Sequence, residues 1–342
     1  LTRLRFLFAF ATVLALASAL AACGSGGSDK SGEDPQKVIE GATLKGVESG
    51  DLDLALGVTA KGNEGGHVDV ALSGPFQQGA KGKLPQLEMK ASAKGSIGGE
   101  SVDFSGGLTL LPNTAYVEYE GTEYEVDPTT FSFVESAISE AQKQSGAGES
   151  ESAGESGCQE AAANLEVGDF VENLKNEGSA DVGGTSTTKV SGDLNVAGAI
   201  DSVVELIESP ACRATVATAG PLPSKAEIEK AKSEVSESLE SAHVDVYVGD
   251  DDIIREITAR LAIEPQHAGS GPKSVEIEID LKLTGVNEEQ EISAPGNSKP
   301  LSDLFIKLGV NPIELLGALQ GEGGAEGFGN LLEGLGQSGR AG

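Results

Sequence analysis

The sequence predicts an α+β fold, a large antiparallel sheet with helices gathered on one of its faces. Two observations carry this. Segments of hydrophobic period two, joined by short polar or glycine turns, fill Asp51 to Val126 and return from Val244 to Thr284, and the stretch between them shifts to helical spacing. Within each strand-like segment one side is apolar and the other polar, the pattern of a sheet with one dry and one wet face.

Taken in order, Asp34-Pro35 combines an N-cap with proline at the first helical position, and Val38, Ile39 and Ala42 follow on one helix face. After Ser49-Gly50, Leu52, Leu54, Leu56 and Val58 alternate with Asp51, Asp53 and small residues. Val68, Val70 and Leu72 repeat the pattern, then Leu87, Met89, Ala91 and Ala93. Val102 to Leu110, Ala115 to Glu120 and Glu123 to Val126 complete a meander, the last two joined around Gly121. Asp127-Pro128 is a second cap-and-proline signal, with Phe131, Val134, Ala137, Ile138 and Ala141 at helical spacing. Residues 146–157 (GAGESESAGESG) read as a mobile acidic loop. A helical stretch is expected from Gln159 towards Lys175, broken near Gly168, then a strand from Thr185 to Leu194. Ala199, Ile200, Val203, Val204 and Ile207 stripe a helix. Ser224 and Glu227 form a capping box for another, striped by Ile228, Ala231, Val235 and Leu239. Val244, Val246 and Val248 lead into a turn at Gly249–Asp252, followed by Ile257, Ala259, Leu261 and Ile263. The strictest alternation is Val275 to Thr284, where five apolar residues interleave with Glu276, Glu278, Asp280, Lys282 and Thr284. Pro300–Leu308 and Pro312–Leu319 read as short closing helices. The organisation expected is a single domain over 35–319 with a flexible glycine-rich tail at 320–342.

The amino terminus has a different character. Arg3 and Arg5 precede the uncharged run Phe6 to Leu16, too short to span a bilayer comfortably, so residues 1–22 read as a signal peptide. Leu20-Ala21-Ala22-Cys23 has the form of a lipobox: an aliphatic residue, two small residues that fit a signal-peptidase groove, and a cysteine whose thiol takes a diacylglyceryl group. Residues 23–34 are the expected flexible, lipid-anchored linker. Two or more acyl chains of palmitate type hold a protein stably on a membrane, where one holds it marginally. Leu1 reads as an alternative start codon rendered literally. Cleavage before Cys23 removes only Arg3 and Arg5 from a formal net charge of −30, so the mature chain is still more acidic. Such a chain is repelled by nucleic acid and by anionic headgroups, and neither is an expected partner.

Cys158 and Cys212 are the other two cysteines. In an exported chain they read as one disulfide, closing a loop from 158 to 212 that contributes roughly 4 kcal/mol on the chain-entropy model, or as two unpaired thiols. Zinc would need further Cys or His ligands at suitable spacing, and no metal or cofactor is expected. Hydrolase, phosphate-loop and zinc-protease motifs are absent, and Gly327-Phe328-Gly329 lacks the third glycine of a dinucleotide loop. No catalytic residue is assigned, and an enzyme ranks last among the readings. His67, His243 and His267 lie apart near strand ends and read as surface groups. Asp250-Asp251-Asp252 suits either a calcium ion or a polar hairpin turn. Tyr116, Tyr119, Tyr124 and Tyr247 either pack across strands or line a cavity mouth.

Val244-Asp245-Val246-Tyr247-Val248-Gly249, Leu283-Thr284-Gly285-Val286-Asn287, and Glu291-Ile292-Ser293-Ala294-Pro295 with Lys299-Pro300-Leu301 resemble the C-terminal half of LppX/LprAFG-type actinobacterial lipoproteins. Ser49-Gly50-Asp51-Leu52-Asp53-Leu54 and the Tyr116–Tyr124 hairpin suit the N-terminal half, and Gly183-Gly184-Thr185-Ser186-Thr187-Thr188 the centre. The resemblance spans roughly Pro35 to Leu308. It implies a U-shaped half-barrel with helices on its concave face, similar to the LolA/LolB carriers, and an apolar cavity for lipid or glycolipid acyl chains. It supplies no residue-by-residue ligand site. Each buried methylene contributes about 0.8 kcal/mol, so a long acyl chain gains several kcal/mol after ordering costs. The function expected is therefore a membrane-anchored extracytoplasmic lipoprotein that binds or carries such lipid. The alternative is an interaction or scaffold lipoprotein with a filled core.

Overall fold

The computed structural model describes residues 30, 32–62, 65–79, 84–132, 170–209, 212, 225–265 and 271–309. Their strands form one twelve-stranded sheet built from two meanders. The first runs outward from the middle through β1 (Ser49–Gly62), β2 (Gly66–Gln77), β3 (Gln86–Ile97), β4 (Glu100–Leu111), β5 (Thr114–Tyr119) and β6 (Thr122–Glu125). The second starts at the opposite edge with β7 (Val171–Val182) and β8 (Thr185–Leu194). It returns through β9 (Leu239–Gly249), β10 (Ile254–Ile263) and β11 (Pro272–Thr284), which pairs with β1. All these pairs are antiparallel. A two-residue β12 (Lys299–Pro300) adds parallel to β6, so β12 and β7 are the edges and the sheet is not closed.

Among the described residues, four whole helices accompany the sheet: α1 (Pro35–Gly41), α2 (Val196–Glu208), α3 (Lys225–Ser238) and α4 (Leu301–Leu308). None of the described helices is long and apolar enough to cross a membrane. Asp34 caps α1 by accepting from the Gln36 N–H at 3.0 Å, with proline in the first turn. At seven residues α1 is too short to be stable alone. It is held by burial of Val38 and Ile39 among Val190, Val244, Val246, Val248 and Ile254. The chain leaving α1 pairs Thr43 with Ile253 and lays Val47 against Phe76, Ile253 and Leu283. Asn195 caps α2 through the Gly198 N–H, and Lys232 of α3 meets Asp201 of α2 at 2.6 Å.

Three expectations are corrected. Val171–Lys175 belong to β7, not to a helix. Two register shifts and the positive φ of Asn173 (53°) and Gly178 (93°) interrupt the alternation that would have marked a strand. Lys299–Pro300 pair with β6, and the closing helix starts one residue after Pro300. Within the linker expected to be flexible through residue 34, Lys30 is buried, only 7 % exposed. The second cap works as expected: Asp127 accepts from the Thr129 and Thr130 N–H groups and opens a helical turn at 128–132. The rest of that helix lies outside the described residues, as do residues 1–22, Cys23, the 146–157 loop, Cys158, Ser224, His267, Pro312–Leu319 and the 320–342 tail.

The tip of the β7–β8 hairpin approaches β11 although β9 and β10 intervene in the sheet order. A Cβ added at Gly183 would lie 2.4 Å from Thr284 Cγ2, so a side chain is excluded there.

Candidate functional site

Because residues opposite one another in an antiparallel pair share a face, the register identifies a single apolar surface. Leu54 stands between Leu281 and Leu72, Leu72 opposes Ala91, Ala91 opposes Gly106, and Gly106 opposes Tyr119. In the other direction Leu281 opposes Ile257, Ile257 opposes Val246, and Val246 opposes Val190. That row crosses β5 to β8 without a charged side chain. The neighbouring row repeats it with Phe104, Ala93, Val70, Leu56, Ile279, Ala259 and Val244.

Coverage of this face is uneven. Under α1, Val190, Val246 and Val248 are fully buried. Along the middle of the sheet, Leu54, Leu56, Val70, Leu72, Ile277 and Ile279 are only half-buried. On β4, Phe104 and Leu108 remain 45 % and 43 % exposed. Antiparallel sheets normally put such a face against a core, so half-buried leucine and isoleucine across adjoining strands form a surface able to take up further apolar matter. At the β6 edge, α4 buries Leu304 and sets the Lys307 ammonium 5.0 Å from the Tyr119 ring centre, paired with Glu120.

The opposite face is polar and laced with cross-strand ion pairs, including Lys61–Glu276, Arg260–Glu278 and Lys282–Glu256. Asp245 on this face is only 6 % exposed. Asp245 accepts from Ser191 Oγ at 2.8 Å and pairs with Lys189 at 3.0 Å and His243 at 3.3 Å. Burial raises its carboxyl pKa, but the Ser191 hydroxyl and the Lys189 ammonium outweigh that and hold it below the ordinary carboxylate value. A depressed carboxyl stabilises the fold above its unfolded pKa, about 3.9 for aspartate, and loses that contribution as pH falls through the folded value. Asp245→Asn is therefore expected to lower the urea midpoint at pH 7, with the gap to the parent closing below pH about 4. Asp51 behaves oppositely: burial and neighbouring Asp53 raise its pKa, so it opposes folding at neutral pH.

Other residues singled out in the sequence serve local structure. Asp251 accepts from Arg255 at 2.7 Å and from the Ile253 N–H, and Asp252 pairs with Lys30, so the acidic turn is occupied by the protein's own cations. Among the described residues no group of three or more His, Cys, Asp or Glu has a metal-holding arrangement. His67 joins Thr59 Oγ1 through Nδ1 and Asp69 Oδ2 through Nε2, each at 2.8 Å. The side chains of His67 and Asp69 are more than half exposed, whereas electrostatic catalysis relies on water-excluded groups. His243 lies within β9, not at its end. Tyr116 and Tyr124 are buried in cross-strand packing, and Tyr247 lies beneath Lys189 on the polar face. Cys212 is 1 % exposed, while the expected partner, Cys158, lies outside the described residues.

Two recesses open on the described surface, the first of mixed and the second of mainly polar lining. One, of about 170 Å³, mixes Ala71, Ala91 and Gly106 with Ser73, Lys90, Ser105 and Glu118. The other, about 380 Å³, is bounded by Glu48, Ser49, Gln77, Gln78, Asn287, Glu288 and Glu289, and the buried Gln78 Nε2 there has no hydrogen-bond partner among the described residues. Sequence reasoning missed this second recess because its two walls are more than 200 residues apart, joined by contacts such as Glu48 N to Asn287 Oδ1 at 2.7 Å.

No family model matches the chain, and no curated protein does. Among solved structures it is similar to LprF from Mycobacterium bovis, at 13 % identity and a TM-score of 0.35, covering 80 % of this chain and 100 % of that one. It is also similar to the lipoprotein LppX of Mycobacterium tuberculosis, at 14 % identity and 0.28, covering 76 % and 98 %. A DUF1329 family protein from Desulfovibrio piger follows at 9 % identity and 0.19, covering 75 % and 93 %. TM-scores this low carry no weight for function, which rests on the chain's own residues.

Proposed function

We propose that this chain is an extracytoplasmic lipoprotein, acylated at Cys23 on an outward membrane face, that binds lipid or glycolipid acyl chains along the apolar face of its sheet. The observation that supports this most is the apolar surface crossing β5 to β8 with half-buried leucine and isoleucine at its middle. An acyl chain laid on it removes methylenes from water at about 0.8 kcal/mol each and covers the leucines at the same time. A rolled, half-barrel course of the sheet accords with the approach of Gly183 to Thr284 across two intervening strands. In this reading Cys158 pairs with Cys212 and residues 35–319 form one domain.

The test is native mass spectrometry of the soluble Cys23→Ser chain lacking residues 1–22, expressed with export. A reproducible adduct of lipid mass, lost on organic extraction, supports the carrier. A clean protein mass that fails to take up added envelope lipid supports a scaffold with a filled core. Phe104→Glu sharpens the test. Phe104 is already 45 % exposed, so its loss costs the fold within about 0.5 kcal/mol, while a carboxylate there disfavours an acyl chain. The expected outcome is strongly reduced lipid adduct at an unchanged melting temperature.

A further inference from the structure

The fold pins the chain very soon after the proposed lipid anchor. Lys30 is 7 % exposed; its ammonium donates to the Gly249 carbonyl at 3.1 Å and pairs with Asp252. The Lys30 carbonyl accepts from Asn176 Nδ2 at 3.1 Å, and the same amide reaches the Glu33 carbonyl at 2.9 Å. Asn176 is itself oriented, because its Oδ1 accepts from the Gly178 N–H at 2.9 Å. The turn that holds Lys30 is also braced: Arg255, 6 % exposed, donates to Ile253 O and to Asp251. The Thr43 N–H donates to the Asp252 carbonyl at 2.9 Å. Lys30 is thus clamped between β7 and the β9–β10 turn.

We infer that Cys23 to Lys30 is a short leash that holds the β9–β10 end of the sheet toward the bilayer. The inference rests on acylation of Cys23. Seven residues reach at most about 25 Å even when fully extended. The fourteen-residue β1 is about 45 Å long at 3.3 Å per residue. If the far end, with its β1–β2 and β3–β4 turns, faced the membrane, Lys30 would stand about 45 Å away, beyond the leash. The near end carries Glu48, Asp250, Glu288 and Glu289, so it is held to the lipid surface by its covalent anchor and not by charge. The polar recess at Gln78 lies at this end and faces the same surface.

The experiment uses the mature lipidated chain, purified from membranes and placed in phosphatidylcholine nanodiscs bearing an energy-transfer acceptor at the headgroups. Donors are attached, without reductant, at Asp250→Cys in the near turn or Ser101→Cys at the far end. Transfer several-fold stronger from position 250 is expected, with the contrast shrinking when Lys30→Ala and Asn176→Ala together lengthen the leash. Acylated Cys23 with equal or reversed transfer would overturn this inference alone. A Cys23 peptide without acyl mass would overturn the lipoprotein reading and this inference with it.

Discussion

Gly95→Ala is expected to destabilise the protein by on the order of 3 kcal/mol or more, the joint cost of a backbone conformation closed to alanine and of overpacking. Gly95 has φ +135°, and a Cβ there would lie 2.0 Å from the His67 carbonyl oxygen and 2.8 Å from Val68 Cα. Both contacts are with backbone of β2, so no side chain can yield, and the β2–β3 pairing must move. Gly74, on the same seam, is similarly placed, with φ +141° and Glu88 O at 1.9 Å. Gly99→Ala is the comparison: φ is +81° but nothing lies within 4 Å, so only the conformational cost of about 1–3 kcal/mol applies. Urea midpoints of the two variants separate clash from strain. Equal losses would mean that the seam relaxes freely.

Ile39→Ala is expected to cost about 2–5 kcal/mol, the range for truncating a buried isoleucine. Ile39 is 1 % exposed and wedges α1 against Val246, Val248 and Ile254. Its loss reaches beyond its own cavity. The chain following α1 is the stretch that pairs Thr43 with Ile253 and inserts Val47 beside Phe76 and Leu283. Loosening α1 thereby loosens the β9–β10 turn that clamps Lys30. Amide exchange at Thr43 and Ile254, whose N–H groups donate to Asp252 and to Thr43, should accelerate along with the fall in global stability. A loss confined to α1 would show that the cover and the sheet are energetically separate.

Strand assignment followed the alternation wherever it was regular. Val275 to Thr284 lies within β11, and Leu52 to Val58 lies within β1 with the aspartates on the opposite side. Asp34, Asp127 and Asn195 cap the helices they precede because a side-chain acceptor one residue before a helix meets donors only two or three positions away. The candidate site was half legible. Period two announces which residues share a face, but it does not say how much of that face is covered, since coverage comes from elements distant in sequence. β7 escaped notice because its bulges spoil the period, and an expected linker hid Lys30 because nothing local marks a lysine for burial.

By itself the sequence determined the existence and facing of most strands, the capped helix starts and the acidity of the chain. These depend on contacts or chemistry within a few residues. Only the tertiary structure decided that β11 joins β1, that β7 rather than a helix begins the second meander, and that Lys30 is bound by a turn 219 residues away. Ladder hydrogen bonds join backbone to backbone, and nearly every strand offers the same donors and acceptors. The choice of partner therefore emerges only when all the apolar rows are brought onto one face together.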